Sequence, residues 1–116
     1  MPEVVRLELD TGAAVCERCT VADSALARMR GLLGRSSLEP GEGILLRPCS
    51  SIHTFFMGFP IDVLFCDRDL QVLAVAAHVP PWRSRMKRRA KLAIELSAGE
   101  AERRGVAVGS RLRAAV

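Results

Sequence analysis

Cys49, His53 and Met57 recur at intervals of four residues, a set of ligand types that suits copper, as in the Cys, His and Met loop of blue-copper proteins. In a strand, residues four apart lie about 13 Å from each other at roughly 3.3 Å per residue. The three therefore reach one ion only from an irregular loop. Such a centre also takes a second histidine, and His78 is the sole candidate. The alternative is a strand whose odd-numbered residues, Cys49 through Met57, share one side as core or pocket wall. Cys16-Glu17-Arg18-Cys19 adds a C-x2-C pair, and with Cys49 and His53 the count reaches the Cys3His set that zinc prefers. That pair falls in strand-like sequence rather than on a tight knuckle. No βαβ context is visible in which a helix terminus would lower a thiol pKa for redox work. No metal and no cofactor are expected, and Cys16 and Cys19 read as small residues packed in or beside a sheet.

Asp62 opens the run Ile61-Asp62-Val63-Leu64-Phe65-Cys66, apolar on both faces apart from itself. Burying an unpartnered polar group costs a few kcal/mol, roughly 1–3, so this carboxylate requires a partner. His53, Arg30 or backbone donors would each keep it ionised. If residues 58 to 60 form a three-residue turn that pairs Met57 with Ile61, Asp62 sits opposite Phe56 and away from His53. A slip of one residue reverses that. Bracing of the turn and binding of a ligand both stay open. A Cys49, His53 and Asp62 triad would serve a thiol enzyme, but strand spacing keeps that nucleophile from the base.

Arg83, Arg85, Lys87, Arg88, Arg89 and Lys91 crowd into nine residues just after Trp82. An arginine-rich loop beside an aromatic can hold single-stranded nucleic acid through phosphate contacts and stacking. A stacking platform usually shows several aromatics, and this segment has one. A solvated loop between two strands is the expectation here, with Trp82 across the end of the core and nucleic acid an unfavoured partner.

The elements that must position these residues belong to one domain. A chain of 116 residues holds one hydrophobic core and is too short for two. With 49% hydrophobic and 26% charged residues it has the composition of a globule. The opening MPEVVRLELD alternates apolar and charged residues and has no apolar core of a signal peptide. The most apolar run, Ile52 to Cys66, is shorter than the about 20 residues of a spanning helix and is interrupted by His53, Pro60 and Asp62. A cytoplasmic location without membrane insertion is expected, where the four cysteines stay reduced.

Residues 3 to 9 and 13 to 20 pattern as a hairpin about Thr11-Gly12. Asp23 caps a short helix near residues 23–33, with Leu26, Met29 and Leu33 on one face. After the turn Glu39-Pro40-Gly41-Glu42-Gly43, strands are expected at 44–47, 51–57, 61–67, 71–79 and 91–96. A helical turn near 99–104 leads through Gly105 to a closing strand at 110–115. The expected fold is mainly β, a compact jelly-roll-like sandwich or barrel.

Arg30-Gly31-Leu32-Leu33-Gly34-Arg35, Gly41-Glu42-Gly43, Pro48-Cys49-Ser50-Ser51-Ile52-His53-Thr54, Met57, Phe59-Pro60-Ile61-Asp62 and Pro80-Pro81-Trp82-Arg83 together form a pattern. It resembles domain-of-unknown-function family 192, also called uncharacterised protein family 0127. Glu95 to Gly99 and Gly105 to Leu112 look like the family's C-terminal part, so the likeness covers nearly the whole chain. It implies a β-rich domain with little helix and no established activity. Two departures stand out. Asp69-Leu70 replaces the Asp-Gly pair usual after the Asp62 strand. A left-handed leucine costs about 1–2 kcal/mol, so a longer or different turn than a two-residue one is expected. Gly58 stands where relatives tend to carry a basic residue, which removes any anion contact made there.

The functional expectation is a noncatalytic domain binding a small ligand or a protein partner. Its pocket would be walled by Arg30, His53, Met57 and Asp62 and roofed by Trp82. A metal- or thiol-dependent enzyme using Cys49 and His53, and an anionic-polymer binder using residues 83–91, are the alternatives.

Overall fold

The computed structural model describes residues 3–24, 27 and 35–115. Strand β1 (Val4–Leu9) turns through Thr11-Gly12 into β2 (Ala14–Ala22). Glycine suits this turn because φ there is 94°. A bulge follows in β2: Val5 pairs with Cys19 and Leu7 with Cys16, so two steps along β1 match three along β2. Strict alternation would put residues three apart on opposite faces, and the extra residue turns both thiols into the same core.

Strand β3 (Glu42–Leu46) runs parallel to β2, and β8 (Leu92–Ser97) joins it antiparallel. Gly43 has to be glycine at this junction, since an added Cβ would stand 2.9 Å from both the Cys16 sulfur and the Glu95 carbonyl oxygen. Strands β5 (Ile61–Cys66) and β6 (Val72–Val79) form a hairpin whose β5 arm also pairs with β8. A short helix α1 (Glu100–Arg103) and the closing β9 (Leu112–Ala115) complete a seven-stranded sheet in the order β6-β5-β8-β3-β2-β1-β9. The sheet curls until its edges meet. Leu112 donates its N–H to the Leu70 carbonyl at 3.0 Å, and Val72 donates to Ser110 at 2.8 Å.

Period-2 alternation makes two cores from the same strands. One draws on every strand of the curled sheet and on α1, with Leu7, Leu45, Leu64, Ile94, Leu96 and Leu112 among its members. The other lies against the opposite face and holds Ile44, Leu46, Ile61, Val63 and Phe65, together with Leu38, Ile52 and Met57. That second core is covered by a two-stranded ribbon of β4 (Ser51–His53) and β7 (Ser84–Met86).

The mainly β fold and the helical turn near 99–104 are as the sequence implies, and all but residues 23, 24 and 27 of the helix expected near residues 23–33 lie outside the described residues. Three details differ. The strand expected at 51–57 stops at His53, because Met57 donates its N–H to the Thr54 carbonyl and Phe56 takes φ 66°, which turns the chain. Residues 57 and 61 do not pair, since β5 has β6 and β8 as its neighbours. Within the expected loop 83–91 sits β7, paired with β4 through Ser51 with Met86 and His53 with Ser84. The turn after β5 spans Arg68, Asp69 and Leu70, held by Asp67, whose Oδ1 accepts from the Asp69 and Gln71 amides. Leu70 is left-handed at φ 65° and packs its side chain on the first core, which offsets the strain.

Candidate functional site

Thr54 is the residue that shapes the outer end of the ribbon. It is fully buried, and its hydroxyl donates to the Pro80 carbonyl at 2.6 Å while accepting the Arg83 N–H at 2.9 Å. Its backbone N–H reaches the Arg83 carbonyl at 2.8 Å, and its carbonyl accepts the Trp82 N–H at 3.0 Å. Four polar contacts on one residue therefore lock the Phe55–Met57 turn to the Pro80–Arg83 turn.

Aromatic side chains stand out from that clamp. His53 and Phe55 stack with ring centres 5.1 Å apart and planes 25° from parallel, and Phe55 and Trp82 stack at 5.9 Å and 29°. Phe56 meets Trp82 edge-on at 4.8 Å. All three separations are those of favourable ring pairs. Yet the rings are not hidden: Phe56 is 75% exposed and Trp82 56%. Trp82, expected across the core's end, is on the surface instead because φ 67° at its own backbone turns it outward. Phe56 and Trp82 are both non-glycine residues in the left-handed region, where bulky side chains cost of order 1–3 kcal/mol each.

The residues nominated from sequence divide between places. His53 and Trp82 are joined through Phe55 in the ring stack. Met57 is buried in the second core beneath it. Asp62 points to the other face of β5, where its Oδ1 accepts the His78 N–H at 2.8 Å and its Oδ2 accepts those of Gly99 at 3.1 Å and Ala101 at 2.9 Å. Of the partners open to it, the backbone donors are those it meets. Arg30 lies outside the described residues. Phe55 and Phe56 carry the surface and were not singled out from sequence. Their concentration in one apolar segment was a visible signal, but their outward direction depends on the turn at Phe56.

Cys49 and His53 are engaged separately. The Cys49 thiol donates to the Ser51 carbonyl at 3.0 Å, and His53 Nδ1 accepts the Phe55 N–H at 3.3 Å. Cys16 and Cys19 are fully buried neighbours, and the hydrogen bond between their thiols lowers the Cys16 pKa while raising that of Cys19. Among the described residues no group of three or more His, Cys, Asp or Glu side chains is placed to hold a metal ion.

Glu95 is a further titratable group of the sheet. Glu95 is buried on the face of the sheet that carries the second core, between Ile44 on β3 and Val63 on β5. Burial pushes its carboxyl up to about 7. Only the parity of the β8 register separates it from the apolar residues on either side, and a lone Glu in Ile94-Glu95-Leu96 reads as solvent-facing.

Fold and surface together define a curled β-domain that presents a clamped ring cluster on a short ribbon. The chain belongs to domain-of-unknown-function family 192, described as uncharacterised, whose profile matches residues 7–114. No curated protein matches it. It is similar in structure to a chain from Sinorhizobium meliloti 1021 described as a candidate transcription regulator, with TM-score 0.85 and 25% identity, covering 98% of this chain and 94% of that one. A protein of unknown function from Novosphingobium aromaticivorans DSM 12444 shares the fold at TM-score 0.82 and 21% identity, covering 97% of this chain and 84% of that one.

Proposed function

We propose that this is a noncatalytic, cytoplasmic binding domain that engages a small ligand or a partner through the ring cluster of the β4–β7 ribbon. The observation that carries the reading is the left-handed backbone at both Phe56 and Trp82. A fold does not gain by straining two bulky residues in order to expose them, whereas a contact surface does. In this reading His53 and Trp82 touch the ligand together with Phe55 and Phe56. Met57 supports the turn from below and Asp62 braces the start of β5 from its other face. Arg30 is given no part. The separate hydrogen bonding of Cys49 and His53 supports a role without covalent chemistry. That none of the four cysteines forms a disulfide supports a reducing compartment, and no helix among the described residues is long and apolar enough to cross a membrane. The description of the Sinorhizobium relative as a regulator accords with binding rather than turnover.

Trp82 is the only tryptophan in the chain and so reports on this surface alone. Its emission should shift or quench saturably with at least one member of a panel of aromatic anions, acidic and basic peptides, oligonucleotides and lipid vesicles. Absence of any response across the panel would defeat the reading.

A further inference from the structure

The ribbon's rings are followed directly by cations. Arg83, Arg85, Lys87, Arg88, Arg89 and Lys91 are all exposed. None of the six makes an ion pair with a carboxylate among the described residues. Past the end of β7 they do more than line a surface. Lys87, Arg88 and Arg89, with Leu73 and Asp67, enclose an open cleft of ≈ 530 Å³ between this segment and the β5–β6 turn. Asp67 is its single carboxylate, and one of the two oxygens is taken up by the Asp69 and Gln71 amides. Three cations against one committed carboxylate leave the cleft electropositive. Trp82 and Lys87 are five residues apart, a reach of about 17 Å at full extension.

We propose that the ring cluster and the basic cleft, which stand at the two ends of the β4–β7 ribbon, together bind single-stranded nucleic acid. Unpaired bases stack on the outer rings of the cluster, His53, Phe56 and Trp82, with Phe55 filling the stack between His53 and Trp82, and the backbone phosphates run into the Lys87, Arg88 and Arg89 cleft. The proposal rests on the ribbon being the binding surface and adds the class of ligand. Sequence alone weighed against it, because only Trp82 neighbours the basic run. The fold supplies the missing aromatics by clamping the Phe55–Met57 turn against the Pro80–Arg83 turn through Thr54. Charge complementarity and ring geometry choose this occupant. Planes within 25° and 29° of parallel continue a base stack, whereas a wedge for lipid has no use for parallel planes. Cations gathered in a concave cleft suit a thread of phosphates better than a flat headgroup layer.

The test is fluorescence anisotropy of a labelled twelve-nucleotide oligothymidine with the full chain across a salt series. Binding should weaken linearly in log salt with a slope of about −2, near −0.7 for each of three phosphates. Phe56→Ala and Trp82→Phe should each weaken it, Phe56→Ala by about ten-fold with the slope kept. The triple change Lys87→Ala, Arg88→Ala, Arg89→Ala should flatten the slope toward zero. Equal affinity for polyphosphate, which has no bases, or for duplex DNA would overturn the proposal. Phe56-dependent binding to phosphatidylglycerol vesicles with none to the oligonucleotide would also overturn it, while leaving the ribbon as a binding surface. Silence of Trp82 toward every probe would instead remove the ribbon reading itself.

Discussion

The Asp62 carboxylate accepts the backbone N–H of Ala101 at 2.9 Å, joining β5 to the start of α1 across 39 residues of sequence. Together with the His78 and Gly99 amides, this makes Asp62 the acceptor for three backbone donors. Asp62→Ala leaves those donors without partners, and the protein should lose roughly 3 kcal/mol of unfolding free energy in urea. Trp82 emission of the folded fraction should stay unchanged, because Asp62 and the ribbon lie on opposite faces of β5.

Thr54→Val keeps the shape of a fully buried side chain and exchanges only its hydroxyl for a methyl group. The Pro80 carbonyl and the Arg83 amide then lose their partner, at a cost of about 1–2 kcal/mol. The two turns that hold Phe55 and Trp82 together loosen. A red shift of Trp82 emission and greater quenching by acrylamide should accompany the loss of stability.

Glu95 makes stability depend on pH with a definite sign. Its carboxyl is raised by burial from 4.5 to about 7 in the folded chain, so the folded state holds a proton that the unfolded state has released between those values. The stability this provides is complete below pH 4.5 and is lost as pH rises to 7 and above. Relative to Glu95→Gln, the native chain should lose on the order of 3 kcal/mol between pH 4.5 and 8, as measured by urea unfolding at a series of pH values. Ile44 and Val63 flank the group and offer no compensating charge. A parallel pH profile in the two proteins would show that Glu95 does not titrate in this range.

How far sequence carries can be seen residue by residue. The hairpin about Thr11-Gly12, the β5–β6 pair and the closing strand follow from alternation and turn residues, which are local signals. Asp62 was legible as a buried and partnered carboxylate, because no apolar strand tolerates a bare one. Its partners were not, since Gly99 and Ala101 reach it only after β8 aligns beside β5. The ring cluster was hidden for the same reason. Phe55 and Trp82 are 27 positions apart, and their contact depends on Thr54 binding Pro80 and Arg83 across the ribbon. Likewise the shared face of Cys16 and Cys19 needs a bulge, and bulges leave no reliable mark in residue types.

Phe56 is the residue on which the account turns, being 75% exposed and left-handed at φ 66°. Phe56→Ala removes a ring that the fold does not bury, so its unfolding free energy should stay within about 1 kcal/mol of the native chain. The decisive measurement is the affinity of this variant for oligothymidine beside its unfolding midpoint. An unchanged midpoint with affinity reduced about ten-fold is the predicted result. Unchanged affinity, or a loss of affinity that only tracks a loss of folding, would contradict it.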